Sequence, residues 1–114
     1  MSLKLATLDF FIVENLQSYE EMYPLHILNP SRRTYLGMVS AMDDAIGNLT
    51  EVLKANDMYN NTIIIFVSDN GGQEHLGGGA SNDPLRSGKG SFYEGGVRTP
   101  AFVHAPNLVR EKAG

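Results

Sequence analysis

Two hydrophobic patterns of different period follow one another along the middle of the chain. Apolar side chains recur at Tyr35, Met38, Val39, Met42, Ile46, Leu49, Val52 and Leu53, a single stripe repeating every ~3.6 residues. The opposite face carries Asp43, Asp44, Asn48, Glu51 and Lys54, so the segment is expected to be an amphipathic helix with one solvated side. Asn29 or Ser31 can cap its start. Pro30 suits a first helical position if Asn29 is the cap, and Asn56-Asp57 closes the helix. The pattern then changes. Thr62-Ile63-Ile64-Ile65-Phe66-Val67 is apolar without alternation and rich in β-branched residues, as in an inner strand of a parallel sheet covered on both faces. The helix stripe is expected to pack against this strand as one αβ unit.

The flanks are less regular. Leu8 to Val13 reads as a short strand or irregular apolar segment. Leu16 to Pro30, broken by Pro24, Asn29 and Pro30, reads as a loop with a helical turn at Ser18 to Met22. Val97 to His104 reads as a second strand, with Pro100 marking an edge or a strand start.

Composition narrows the function classes. The chain has 114 residues, a length that fits one small domain or a piece of a larger one. Its net charge of −4 argues against a general binder of nucleic acid or anionic membrane, whose phosphate contacts need clustered Lys and Arg. No apolar run approaches the ~20 residues of a transmembrane helix. The first fifteen residues lack the basic start and unbroken apolar core of a signal peptide, since Asp9 interrupts them. With no cysteine, disulfides and thiolate metal sites are excluded for these residues.

Candidate chemistry gathers after the apolar strand. Ser68-Asp69-Asn70-Gly71-Gly72 places a carboxylate and an amide side by side at its carboxyl end, where open α/β sheets bind ligands. Two adjacent oxygen donors, Asp69 and Asn70, suit a hard divalent cation. Asp, Asn and Gly are equally the residues of an ordinary turn after a strand. Lys89, between Gly88 and Gly90, can present a point charge to an anion or be an exposed loop lysine. Gly95 and Gly96 are expected to allow close backbone approach or positive φ. Glu94 and Arg98 read as an ion pair or loop clamp, and Asp43-Asp44 as part of the solvated helix face. His26, His75 and His104 are read as structural or exposed. Asn48-Leu49-Thr50 and Asn60-Asn61-Thr62 are glycosylation sequons, the second the better placed of the two because it falls in the turn before the strand.

Three motifs in series carry a resemblance: Tyr35-Leu36-Gly37-Met38-Val39-Ser40-Ala41-Met42-Asp43-Asp44-Ala45-Ile46-Gly47, then Ser68-Asp69-Asn70-Gly71-Gly72, then Lys89 with Glu94-Gly95-Gly96-Val97-Arg98. Together they resemble the sulfatase family, in its arylsulfatase B-like (N-acetylgalactosamine-4-sulfatase-like) branch. The resemblance implies an α/β fold: a fragment of an alkaline phosphatase-like sulfatase sandwich, with one long helix packed on a small, mainly parallel sheet. It divides the chain into a divergent segment, 1–32, and a partial sulfatase domain, 33–114.

For function, the resemblance implies sulfuric ester hydrolysis on a sulfate ester substrate, with Asp69 and Asn70 as calcium ligands and Lys89 as a sulfate contact. It also implies a lysosomal or secreted location. The family's other metal ligands come from an amino-terminal Asp pair, and its formylglycine nucleophile is made from a Cys/Ser-x-Pro-x-Arg motif. Neither occurs in this sequence: Ser81-Asn82-Asp83-Pro84 has the wrong spacing, and Asp9 stands alone. The expectation is therefore a truncated sulfatase with a partial Ca2+ site, inactive by itself and prone to self-association. Alternatives are a non-catalytic calcium- or sulfate-binding module, or another alkaline phosphatase-like metallo-hydrolase.

Overall fold

The computed structural model describes residues 16–27, 29–75 and 77–106. The segment read from sequence as Leu8 to Val13 lies outside them. In chain order the elements are α1 (Leu16–Glu21), α2 (Pro30–Ala55), a 3-10 turn (Tyr59–Asn61), β1 (Ile64–Val67), α3 (Glu94–Val97) and β2 (Ala101–His104).

The long helix begins where its capping residues put it. Asn29 takes an extended conformation, and its side chain accepts a hydrogen bond from the Arg32 amide, with Pro30 as the first helical residue. At the other end, Asn56 donates from its side chain to the Val52 carbonyl at 2.8 Å, and Lys54 sits in the last turn. The helical turn foreseen at Ser18 to Met22 is α1, which starts two residues earlier and ends one residue earlier.

Packing departs from expectation. Among the described elements α2 contacts α1 and the 3-10 turn, not β1. The line it buries is made of small residues, Gly37 and Ala41, one helical turn apart. Gly37 faces Glu20 and Leu16 so closely that a Cβ would stand 3.2 Å from the Glu20 nitrogen. Polar contacts finish this seam. Tyr19 donates to Asp44 at 2.9 Å, Tyr23 and Ser40 share a bond of 2.6 Å, and Arg33 donates to the Glu20 carbonyl. The bond to Asp44, followed by partial desolvation, raises the Tyr19 phenol above its usual range. The predicted stripe is only partly covered, since Met38, Val39, Leu49 and Val52 are exposed. Asp43 and Asp44 are both exposed, but Asp44 differs from the sequence reading: it stands at the edge of the α1 seam, on the face of Gly37 and Ala41, where Tyr19 bonds it.

The sheet also differs. β1 and β2 pair antiparallel, with Ile64 opposite His104 and Val67 opposite Ala101, so the sheet among the described residues is an antiparallel ribbon and not mainly parallel. Parallel neighbours would need crossover connections, and the chain instead returns from the loop after β1 to pair beside it directly. Nor is β1 buried on both faces. Ile64 and Phe66 are half-buried, while Ile65 and Val67 are 64% and 62% exposed. Phe66 stacks on Phe102 across the ladder with ring centroids 5.3 Å apart. The second strand is shorter than foreseen: Val97 ends α3, and Pro100, which cannot donate to the ladder, stands just before β2. Its carbonyl still accepts from Ser68, extending the pairing by one bond.

No hydrophobic side chain among the described residues is fully buried; Ala41 and Ala105 are the buried apolar residues. Local capping therefore carries weight in this fold. Asn29→Ala is expected to cost about 1 kcal/mol and lower the thermal midpoint followed by far-ultraviolet circular dichroism. Asn29→Asp, which keeps the acceptor, should melt like the wild type.

Candidate functional site

β1 ends at Val67 and the chain turns at once. Ser68 Oγ donates to the Asn70 carbonyl at 3.0 Å, and Asn70 Nδ2 donates to the Gly71 carbonyl at 2.9 Å. These short-range bonds fix a turn of the kind Ser and Asn favour. They leave the Asn70 Oδ1 and the exposed Asp69 carboxylate as oxygen donors at the strand end. The turn interpretation and the ligand interpretation of Asp69-Asn70 are thus compatible in one geometry.

A second segment closes on this turn. Gly71 N donates to Gly96 O at 2.9 Å, and Gly95 N donates to Arg86 O at 3.0 Å. The approach is so close that a Cβ on Gly71 would overlap the Gly95 carbonyl oxygen, and one on Gly95 would overlap the Ser87 carbonyl oxygen. Close backbone approach, rather than positive φ, is thus what Gly95 and Gly96 supply. Both are buried in the short helix α3. Arg86 braces the outside of this junction, its guanidinium 3.9 Å from the centroid of the Tyr93 ring.

Lys89 enters from the same loop. Its amide donates to the Gly72 carbonyl at 3.0 Å, which places its backbone beside the residue that follows Asp69-Asn70-Gly71. The side chain is exposed. The three residues read as a site, Asp69, Asn70 and Lys89, therefore belong to loops joined by direct backbone hydrogen bonds. Glu94 and Arg98 form an ion pair at 3.8 Å with both side chains about 70% exposed, a contact worth little to stability. His104 accepts from or donates to Tyr59 at 2.6 Å, away from the strand end, while His26 and His75 are exposed. Asn48 and Asn60 are exposed, the first on α2 and the second in the 3-10 turn.

Two residues of the loop went unrecognised in the sequence. Asn82 makes a reciprocal pair with the backbone of Gly72, accepting from its nitrogen at 2.8 Å and donating to its oxygen at 2.9 Å. Glu74 accepts the Asn82 amide at 2.6 Å. An Asn between Gly-rich and Pro-containing segments signals a turn, and only the fold reveals which backbone it imitates. The glycine-rich stretch before Asn82 reaches back to the long helix, where Arg32 donates to Gly79 O at 2.9 Å. Beside it an open cleft of ≈ 340 Å³ lies between Pro30, Tyr35 and Met38 on α2 and Gln73 and Gly78 in the loop.

The donor set of a divalent ion can be tested against this geometry. Asp69 and Asn70 offer one carboxylate and one amide oxygen, whereas calcium takes about six to eight oxygens. Among the described residues no group of three or more His, Cys, Asp or Glu side chains comes together. The pair fits a portion of a calcium shell and not the whole.

The fold is a helix-and-strand assembly in which the candidate residues Asp69 and Asn70 stand just past the carboxyl end of β1. The Sulfatase family model matches residues 10–113, and the chain belongs to that family. Arylsulfatase J of Mus musculus is 54% identical over 82 residues, covering 72% of this chain and 13% of the relative. Steryl-sulfatase of Rattus norvegicus is 32% identical over 104 residues, covering 81% of this chain and 18% of the relative. A crystal structure of Ps i-CgsB in complex with k-i-k-neocarrahexaose superposes with a TM-score of 0.73 at 48% identity, covering 82% of this chain and 21% of that one. The chain thus spans less than a quarter of the proteins it matches.

The junction itself generates a contrast. Gly95→Ala forces a backbone overlap with Ser87 and is expected to cost about 1–3 kcal/mol or more in chemical denaturation. It should also shift the amide resonances of Gly71, Gly72 and Lys89. Gly90→Ala meets nothing within 4 Å but must hold a φ of +87°, so it should cost about 1–2 kcal/mol and leave those resonances in place.

Proposed function

We propose that this chain supplies one part of the metal and sulfate site of a sulfuric ester hydrolase of the arylsulfatase type. The observation that supports it most directly is the hydrogen bond from the Lys89 amide to the Gly72 carbonyl, which joins the lysine loop to the Asp69-Asn70 strand end. In this reading Asp69 and Asn70 donate oxygens to Ca2+, and Lys89 holds a sulfate oxygen by a charge-assisted bond. Such a lysine stabilises the charge that develops when the sulfuryl group transfers. Residues from outside this sequence complete the calcium shell and supply the nucleophile and the acid. With no Cys/Ser-x-Pro-x-Arg motif in its 114 residues, the chain alone is not expected to turn over sulfate esters.

Membership in the sulfatase family, with Lys89 and the Glu94-Gly95-Gly96-Val97-Arg98 block, favours this reading over another alkaline phosphatase-like metallo-hydrolase. A non-catalytic calcium- or sulfate-binding module derived from a sulfatase is the second reading, favoured by the missing nucleophile motif. The location that accompanies the first reading is lysosomal or secreted, with Asn48 and Asn60 as glycan acceptors. The exposed side chains of Ile65, Val67, Phe92 and Val103 further support self-association of the chain when isolated, because a monomer seldom leaves such a group of large apolar side chains uncovered.

Calorimetry of the full chain with inorganic sulfate, with and without Ca2+, tests the reading. Sulfate binding is expected to require Ca2+ and to weaken about tenfold or more in Lys89→Ala, the scale of one charge-assisted hydrogen bond. Asp69→Asn should weaken Ca2+ binding. Sulfate binding that ignores both calcium and Lys89 would sink the proposal. Hydrolysis of an aryl sulfate well above a Lys89→Ala control would instead show that the chain is active by itself. Light scattering during the same work should find dimers or larger species, and a stable monomer with a reversible cooperative melt would count against self-association.

A further inference from the structure

Asn82 occupies the point where the two halves of the candidate site meet. Its side-chain amide pairs with both backbone groups of Gly72, as a neighbouring strand would, and so satisfies a segment that has no strand beside it among the described residues. The Gly72 carbonyl receives two donors, Asn82 Nδ2 at 2.9 Å and Lys89 N at 3.0 Å. Gly88 is pressed into the same place: a Cβ there would stand 2.5 Å from the Gly72 oxygen and 2.7 Å from Asn82 Nδ2. Asn82 is itself held on two sides. Its amide donates to Glu74 at 2.6 Å, and its carbonyl accepts from Leu85 at 2.8 Å.

We propose that Asn82 is a positioning residue for the sulfate site, with Glu74 as its support. By bonding Gly72 on one side and packing against Gly88 on the other, it sets the separation between the Asp69-Asn70 oxygens and the Lys89 ammonium. That separation decides whether one tetrahedral anion can touch the metal ligands' ion and the lysine together. A carboxylate at position 82 would not serve, because it lacks the donor that Gly72 O receives. Alanine would leave both Gly72 backbone groups without this partner in a half-buried turn, a loss felt locally because no other side chain among the described residues bonds them. The proposal rests on the sulfate-site reading for its functional meaning, while its structural content stands on the hydrogen bonds themselves.

Hydrogen exchange of single amides separates the two. In the full chain, Asn82→Ala is expected to speed exchange of the Gly72 and Lys89 amides about tenfold or more while leaving β1 and β2 amides unchanged. Glu74→Ala should move the same two amides by less, and Glu74→Gln, which retains an acceptor for the Asn82 amide, should restore them. In calorimetry with inorganic sulfate and Ca2+, Asn82→Ala should raise the Kd about tenfold although Lys89 is intact. Unchanged exchange at Lys89, or equal acceleration throughout the chain, overturns the positioning role. So does faster exchange at Lys89 with an unaltered sulfate Kd. If the wild-type chain binds no sulfate, the sulfate-site reading fails, and the exchange pattern still decides whether Asn82 sets the Lys89 loop.

Discussion

The contact between the Asp69–Gly72 turn and the Gly95-Gly96 backbone is the constraint on which the rest of this site depends. Gly71 N bonds Gly96 O, and neither Gly71 nor Gly95 has room for a side chain. Backbone at this spacing cannot be held by side-chain packing, so hydrogen bonds must fix it. Once it is fixed, the chain on both sides has little freedom. β2 follows α3 within a few residues and pairs with β1, while the segment before α3 must bring Lys89 past Gly72. The sheet register and the lysine's position are thus two consequences of one junction.

The connection between β1 and α3 contains no helix or strand among its described residues, and such a length of irregular chain is uncommon unless it is functional. Here it is ordered by polar groups acting at short range. Asn82 substitutes for a missing strand neighbour, Glu74 holds Asn82, Arg86 lies over Tyr93, and Arg32 ties Gly79 to the start of α2. Such bonds each contribute about 0.5–1.5 kcal/mol net, but their directionality gives them more influence on geometry than on stability. Stability of the ribbon has a different source. The outer side chains Ile65, Val67 and Val103 can contribute hydrophobic free energy only when something covers them. Local order at the site and global stability are therefore carried by separate sets of residues.

The same division explains what the sequence disclosed. Helix α2 was legible to within two residues of its start, because capping by Asn29 or Ser31 and the fixed φ of Pro30 are local properties, and the structure selects Asn29. Asp69, Asn70 and Lys89 were legible as a group through motif order, and the structure joins their loops. The strand Ile63 to Val67 was recognised as a strand, while its partner, orientation and burial were misjudged. An apolar run describes the surroundings a strand requires and says nothing of which segment supplies them. The expected packing of α2 on β1 failed for the same reason, since a stripe identifies a face to be covered and not its cover. Asn82 and Glu74 escaped notice because their importance lies in reaching Gly72, a contact no spacing rule encodes.

A single lysine and a carboxylate-amide pair make a modest site by themselves. One carboxylate cannot offset the dehydration of a divalent cation, and an exposed ammonium binds an oxyanion weakly in water. What the chain offers instead is spacing. Three unlike groups, on two loops separated in sequence, are held to a common frame by Gly72, which is joined to the Asp69-Asn70 turn through the chain and to the lysine loop through its carbonyl. Preorganisation of this kind matters more as water is excluded, because charge interactions strengthen when the local dielectric falls. Further walls around the site would thus raise the value of a geometry already present in these residues. The backbone junction, and not the strength of any one of these groups, is therefore what sets the geometry of the candidate site.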